Sequence, residues 1–276
     1  MSLVLQALSD NLQVEVWEAA SSAPSWQRAN ILAAAYLPDG RVSSLAHWTL
    51  AGRDHLLLLA YQHQFGDAIS VESRCCHCNS KNQLNFGASQ LLAMASPELS
   101  AAWDHRSQTL NTGAYVSRFT EINIEGMACQ FRLPTVGDVS AMGDDRFTAA
   151  DSDSHHLFRF AEQVVEPDNF RQLRQAFAER ADSELAWMSL FESLEAGILA
   201  SEPLSVISIE ASCNECGTIT SHQFDIASQF WAQLSADVER QLWDVHLLAS
   251  KYGWSSQDIL SMSPARRRRH IAMIIE

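Results

Sequence analysis

Two C-x-x-C motifs, far apart in the chain, constrain the fold more than any other feature of the sequence. The first is Cys75-Cys76-His77-Cys78; the second is Cys213-Asn214-Glu215-Cys216, followed by Gly217. Each follows an alternating stretch: Ile69, Val71 and Ser73 before the first, Ile207, Ile209 and Ala211 before the second. Each is followed by a second strand-like run, Gln83-Leu84-Asn85-Phe86 or His222-Gln223-Phe224. Alternation of this kind marks a half-buried strand. A strand, a C-x-x-C turn and a return strand make half of a zinc ribbon, and two halves supply the four thiolates of a closed tetrahedral site. On this reading Cys75, Cys78, Cys213 and Cys216 share one structural Zn2+, and the residues between the motifs form an insertion in a ribbon. Three other readings stay open. An iron–sulfur cluster also takes four cysteines. A thioredoxin-like redox pair opens a helix after a strand, and the return strands here count against it. Two unrelated turns with reduced thiols need no metal at all.

The other two cysteines are not expected to bind metal. Cys76 lies between two candidate ligands, where geometry disfavours a second bond to the same ion. Cys129 falls in a run, 122–133, that reads as a hairpin turning at Glu125-Gly126, and a buried, unreactive thiol is its expected role. His77 is an alternative ligand to a neighbouring cysteine, although a solvated position is the simpler expectation.

The net charge of −14 argues against general nucleic-acid binding, which needs a basic face. That matters because ribbons of this kind often bind nucleic acid. The chain has 276 residues, enough for one large domain or two small ones, and 47% of them are hydrophobic, so a sizeable core can be buried. Only 19% are charged, which is sparse for a freely exposed surface and points to area covered by partners. The opening Met1-Ser2-Leu3-Val4-Leu5-Gln6 has no basic region, and no apolar stretch reaches membrane-spanning length. A signal peptide and membrane insertion are therefore not expected, and the cysteines belong to a reducing cytoplasm.

The pattern along the chain predicts an α+β fold, mostly helical, with a small β zinc-ribbon unit formed by the two knuckles. Five segments follow: a helical region over 1–68, the first knuckle over 69–87, a strand hairpin plus helical insertion over 88–204, the second knuckle over 205–226, and a helical tail over 227–276. Within the first, Pro24 marks a break, Pro38-Asp39-Gly40 a turn, and Leu50 the start of a helix whose apolar face includes Leu57, Leu58 and Tyr61. Residues 136–142, 155–165, 170–180 and 183–199 read as helices, and the acidic stretch 143–154, with Asp144, Asp145, Asp151 and Asp153, as a mobile loop. A long helix over 227–252 carries a core stripe of Phe230, Trp231, Leu234, Val238, Leu242, Val245 and Leu248.

The tail is well punctuated. Gly253 is placed to end the long helix, Ser255 with Asp258 to cap a short one, and Ser263-Pro264 to start the last. Arg266, Arg267, Arg268 and Arg269 then form a basic run in an acidic chain. Positive charge near a helix start opposes the helix dipole. The run is therefore solvated, held by an acidic partner surface, or docked on this chain's own acidic segments; a nucleic-acid tail is a further reading, with no aromatic interleaving in the sequence to support it.

No catalytic constellation emerges. G-x-S-x-G, H-E-x-x-H and phosphate-cradling glycine loops are all missing from the sequence. His155 and His156 are adjacent and point apart on a helix, and His63 and His246 fall in helical stretches. A four-thiolate site leaves no open position for substrate, so the expectation is a protein that is not an enzyme.

Several blocks of the sequence resemble the T-even-phage-like baseplate hub assembly chaperone family of contractile tails and related injection systems. They are Trp17-Glu18 with Pro24, Trp26, Arg28 and Ala29; Leu50-Ala51-Gly52-Arg53-Asp54-His55-Leu56-Leu57 leading to Phe65-Gly66-Asp67; the first knuckle; and Phe131-Arg132-Leu133-Pro134-Thr135. The second knuckle runs into Phe224-Asp225-Ile226 in a similar way. The most specific block is the end: His246-Leu247-Leu248-Ala249, Tyr252-Gly253-Trp254-Ser255, Asp258-Ile259-Leu260, Ser263-Pro264 and the arginines. The chain departs from the pattern at Cys76 and Asn214, where many relatives have proline, and at Asn79, where glycine is expected. Asparagine tolerates the same left-handed backbone.

The resemblance implies a non-enzymatic structural or assembly protein of the baseplate hub, with hub or wedge proteins as partners and Trp254 and Arg266–Arg269 as candidate contacts. It implies action in the bacterial cytoplasm during assembly, and leaves open whether the protein stays in the finished particle. The competing expectations are a zinc-ribbon nucleic-acid-binding regulator and, further off, a thiol oxidoreductase.

Overall fold

Local capping chemistry starts the helices of the first third. The computed structural model describes residues 2–124, 126–144 and 153–275. Helix α1 (Asp10–Ser21) begins where the Ser9 side chain accepts from the Leu12 amide, and α2 (Ser25–Ala34) begins directly after Pro24. In α3 (Leu50–Phe65) the Thr49 hydroxyl accepts from the Gly52 amide at 2.9 Å. The predicted single apolar face of α3 is too narrow: every residue from 51 to 61 except Asp54 is buried. A helix enclosed on all sides sits at the centre of a core, and α3 is packed by α2, by a 3-10 turn at Thr112–Tyr115, and by the long C-terminal helix.

The sequence pattern gave no sign of β1 (Ser2–Val4). It joins a small antiparallel sheet, in the order given by its pairing with β5 (Thr109–Asn111) and then β4 (Trp103–Asp104). The two cysteine motifs join hairpins: β2 (Ala68–Arg74) with β3 (Lys81–Gly87), and β8 (Ile207–Ser212) with β9 (Ile219–Phe224). Short helices α4 (Ala88–Leu92) and α5 (Pro97–Ala102) follow the first hairpin.

Between the hairpins lies a unit with its own hydrophobic core. It comprises the hairpin β6 (Phe119–Ile124) and β7 (Met127–Arg132), then α6 (Val136–Asp144), α7 (Asp153–Val164), α8 (Pro167–Ala178) and α9 (Ser183–Ser201). Phe131, Leu173, Phe177, Leu190 and Leu194 are buried here, with Trp187 edge-on to Phe177 at 5.1 Å. Gly197 lets α9 lie against the hairpin, because a Cβ there would meet the Phe131 ring at 3.0 Å. Gly126 takes φ +86° in the hairpin turn, while its predicted partner Glu125 lies outside the described residues. Most of the acidic stretch predicted as a loop, 145–152, also lies outside them; its described flanks are helical, ending α6 and starting α7. At the exit of the unit, Glu202 is buried and accepts from the Ser96 and Leu204 amides, tying α9 back to α5.

The second hairpin leads into α10 (Ile226–Tyr252), capped by the Asp225 carboxylate on the Ala227 amide. Phe230, Leu234, Val238 and Leu248 are buried, so most of the predicted stripe faces the main core. Leu242 does not: it is 40% exposed beside Trp243 at 62%, and Gln241 takes the buried position instead. The helical line through 234, 238, 241, 245 and 248 passes through 241, and its side-chain NH2 donates to Gln13 Oε1 at 3.0 Å. Gly253 adopts φ +71° and donates to the Ala249 carbonyl. Helices α11 (Ser256–Ser261) and α12 (Pro264–Ile275) then start at Ser255 and Ser263, whose hydroxyls accept from the Asp258 and Arg266 amides. The fold is thus mixed α and β, mostly helical. Among the described residues no helix is long and apolar enough to cross a membrane.

Candidate metal centre

The two cysteine turns are built by the same backbone bonds. In the first, the Cys75 amide donates to the Ser80 carbonyl at 3.0 Å and the Asn79 amide to the Cys75 carbonyl at 2.9 Å. In the second, Cys213 donates to Thr218 at 2.9 Å and Gly217 to Cys213 at 2.9 Å. Both turns need one left-handed residue after the second cysteine, supplied by Asn79 at φ +58° and Gly217 at φ +71°. The strands beneath match as well: Ile69 pairs with Phe86 and Ile207 with Phe224, and the two phenylalanine rings meet edge-on at 5.2 Å. Ile69 and Ile207 are both buried in the main core, which fixes the hairpins side by side.

That packing brings the cysteines together. The four sulfurs all lie within 4.8 Å of one another. Cys75 Sγ is 3.7 Å from Cys216 Sγ, and Cys78 Sγ is 3.6 Å from Cys213 Sγ, so each close pair spans the two knuckles. A disulfide requires about 2.05 Å. Thiolates on a tetrahedral ion with metal–sulfur bonds of about 2.3 Å stand about 3.8 Å apart. The donor set therefore fits one four-coordinate ion.

Comparison with protein-family models, curated proteins and solved structures found no match.

The sulfurs are not equivalent. Cys75 and Cys213 are buried, whereas Cys78 and Cys216 are exposed. The Ser80 hydroxyl lies 3.1 Å from both Cys78 Sγ and Cys213 Sγ, and its hydrogen bond, with the Cys216 and Glu215 amides, lowers the Cys213 thiol to a pKa of about 5. Contact with the Thr218 side chain and amide lowers that of Cys216. The Cys78 and His77 amides favour a Cys75 thiolate, but burial and hydrogen bonds shared with the Cys216 and Cys78 thiols prevail and push it up to about 11. Four thiols this close cannot all ionise beside one another unless a cation neutralises them. A bound ion would also use every donor, leaving no position for a substrate.

The remaining candidates are placed as follows. Cys76 is exposed and is not one of the four clustered sulfurs, and Cys129 is buried in the core of the insertion, where burial raises its pKa. The His77 side chain is exposed too; its contribution is the amide, 3.4 Å from Cys75 Sγ. His63 and His246 are exposed, with His246 stacked on Trp243, and the side chains of His155 and His156 lie outside the described residues. Trp254 is half-buried, stacked on Tyr252 at 4.6 Å with the His270 ring edge-on at 5.0 Å. Arg266, Arg268 and Arg269 are exposed. Arg267, expected with them as a partner contact, is instead 3% exposed, and its guanidinium reaches Asp10 at 2.5 Å and Asp244 at 3.5 Å. At this position the run docks on the chain's own acidic residues, because residue 267 faces α1 and α10.

The Gly52-Arg53-Asp54 block is also internal. A Cβ on Gly52 would lie 2.9 Å from the Tyr115 ring, and Arg53 bonds to Asp54 at 2.8 Å and to buried Asn30 at 3.1 Å. Sequence reasoning missed Ser80, Thr218 and Asn82 around the sulfurs. The signal was present for the first two: a hydroxyl residue stands two places after the second cysteine of each motif.

Proposed function

We propose that the four cysteines hold one structural zinc ion, and that the chain is a non-enzymatic structural or assembly protein of a contractile-tail or injection-system baseplate, acting in its hub region. The observation that carries the first part is the closed set of four sulfurs drawn equally from two distant segments. Such a set suits an ion whose work is to pin the chain, since its binding energy becomes folding energy. The spacing favours one ion over an iron–sulfur cluster, whose several irons and sulfides hold their thiolates farther apart. The baseplate role rests on the sequence blocks that resemble the hub assembly family and on the arginine and tryptophan tail. Hub or wedge proteins are the proposed partners, met in the bacterial cytoplasm during assembly. Exposed Trp243, Arg266, Arg268 and Arg269 offer the aromatic and arginine side chains that interfaces favour.

Coexpression with the hub and wedge proteins of a contractile tail tests this. Copurification in a fixed ratio, weakened when Arg266, Arg268 and Arg269 are replaced together, is the expected result. A stable monomer that never copurifies with any of them overturns it. One observation favours a second reading: the exposed arginines share α12 with His270, which contacts the stacked Tyr252 and Trp254. Basic and aromatic groups together suit single-stranded nucleic acid. Salt-sensitive binding to RNA or DNA, lost in the same triple variant, would put the regulator reading in place of the baseplate one.

A further inference from the structure

The two knuckles repeat one design, and the repeat is broken at a single buried polar position. Asn82 on β3 and Thr220 on β9 stand at the same offset from the first cysteine of their motifs, and both are buried, at 5% and 7% exposure. Thr220 stays within its own hairpin: its hydroxyl donates to the Ala211 carbonyl at 3.4 Å and pairs with His222 Nε2 at 2.7 Å. Asn82 crosses to the other knuckle. Its Oδ1 accepts from the Asn214 amide at 3.0 Å, and its Nδ2 points to Cys213 Sγ at 3.7 Å. One side chain thus grips both the backbone of the second C-x-x-C turn and its buried sulfur.

We infer that Asn82 is a positioning residue of the metal centre, which holds the second knuckle in register with the first and donates to the Cys213 thiolate when the ion is bound. The inference rests on the metal-centre reading above. Two physical consequences follow. Groups that orient a ligand typically contribute about 10- to 100-fold to metal affinity. A donor aimed at a thiolate also draws electron density from the sulfur, so its removal makes that sulfur a stronger donor to the ion. The first consequence would follow from any brace between the hairpins, whereas the second requires contact with the sulfur.

The test uses the full chain, loaded with Co2+ as a spectroscopic probe and then with Zn2+ in competition with a chelator. The wild type is compared with Asn82→Ala, Asn82→Asp and Thr220→Ala. In Asn82→Ala, affinity should fall about 10- to 100-fold, and the thiolate-to-cobalt charge-transfer band should move to lower energy. Asn82→Asp keeps the acceptor for the Asn214 amide but sets a carboxylate against the sulfur, so it should bind more weakly still. Thr220→Ala should match the wild type in both readouts. Circular dichroism checks the folding of each variant; should Asn82→Ala fail to fold, Asn82→Asp against Thr220→Ala carries the test. Unchanged affinity in the Asn82 variants, or weaker binding with an unmoved band, overturns the inference while leaving the metal centre standing. A wild type that binds no metal removes both.

Discussion

Replacing Arg267 with alanine should undo the docking of the C-terminal helix, and the cost follows from the contacts it would lose. The guanidinium is 3% exposed and bridges Asp10 at the start of α1 to Asp244 on α10. It also reaches the Leu260 and Met262 carbonyls at 3.5 Å, which end the preceding helix. Removing one partner of a buried ion pair costs about 3–5 kcal/mol, because the other charge is left uncompensated. The Asp10 and Asp244 side chains are 18% and 25% exposed, so water recovers part of this and the lower end applies, about 3 kcal/mol. The exposed neighbours Arg266 and Arg268 should each cost under about 0.5 kcal/mol. Burial raises the Asp244 pKa, with Arg267 opposing the rise and Asp10 adding to it. The folded state therefore holds the Asp244 proton more tightly than the unfolded chain, and ionising this carboxyl costs stability as pH rises. Arg267 limits that cost, so the deficit of Arg267→Ala should be largest at neutral pH and shrink as Asp244 becomes protonated in acid. Urea titrations of the three alanine variants at a series of pH values measure this, with hydrogen exchange across α11 and α12 reporting the local opening. If Arg267→Ala proves as mild as Arg268→Ala, or its deficit grows in acid, the reasoning is wrong.

Two further outcomes concern the core. His55 is buried against the Tyr115 hydroxyl at 2.6 Å, and burial lowers its pKa from 6.5 to about 4. The unfolded chain therefore takes up this proton first as pH falls, so the stability contributed by neutral His55 is complete above 6.5 and is lost progressively down to about 4, amounting to about 3 kcal/mol. A His55→Asn variant should lack that slope in urea titrations; an identical pH profile in the two proteins would contradict the assignment. Gly52→Ala should destabilise by about 1–3 kcal/mol, since its Cβ would meet Thr49 Oγ1 and the Tyr115 ring at 2.9 Å, and this overpacking outweighs the roughly 1 kcal/mol that alanine gains in a helix. A raised melting temperature in Gly52→Ala would show that Tyr115 yields more easily than its burial implies.

Signals that are local in the chain were legible in the sequence. The knuckles could be read because cysteine spacing and strand alternation lie within a few residues of each other, and the tail because Gly253, Ser255 and Ser263-Pro264 are caps in their own right. What escaped depends on distant partners. Ser2 pairs with Asn111, and three residues carry too little pattern to announce a strand. Arg53 and His55 look like surface residues of a helix until Asn30 and Tyr115 satisfy them in the interior. Arg267 differs from its neighbours only in sharing a helical line with Ile271 and Ile274, and its counter-charge Asp10 lies at the other end of the sequence. Asn82 carried no sequence signal, because its role depends on which hairpin faces it.

The most direct measurement is the metal content of protein purified without added metal, for wild type, Cys213→Ser, Cys75→Ser, the double variant and Cys76→Ser. One zinc per wild-type and Cys76→Ser chain is expected, with the ion lost in each single ligand variant. The stability losses of Cys75→Ser and Cys213→Ser should be strongly non-additive, because both act through the same ion. Wild-type protein free of metal, iron with visible absorbance, or additive losses from two independent sites would contradict the shared zinc centre.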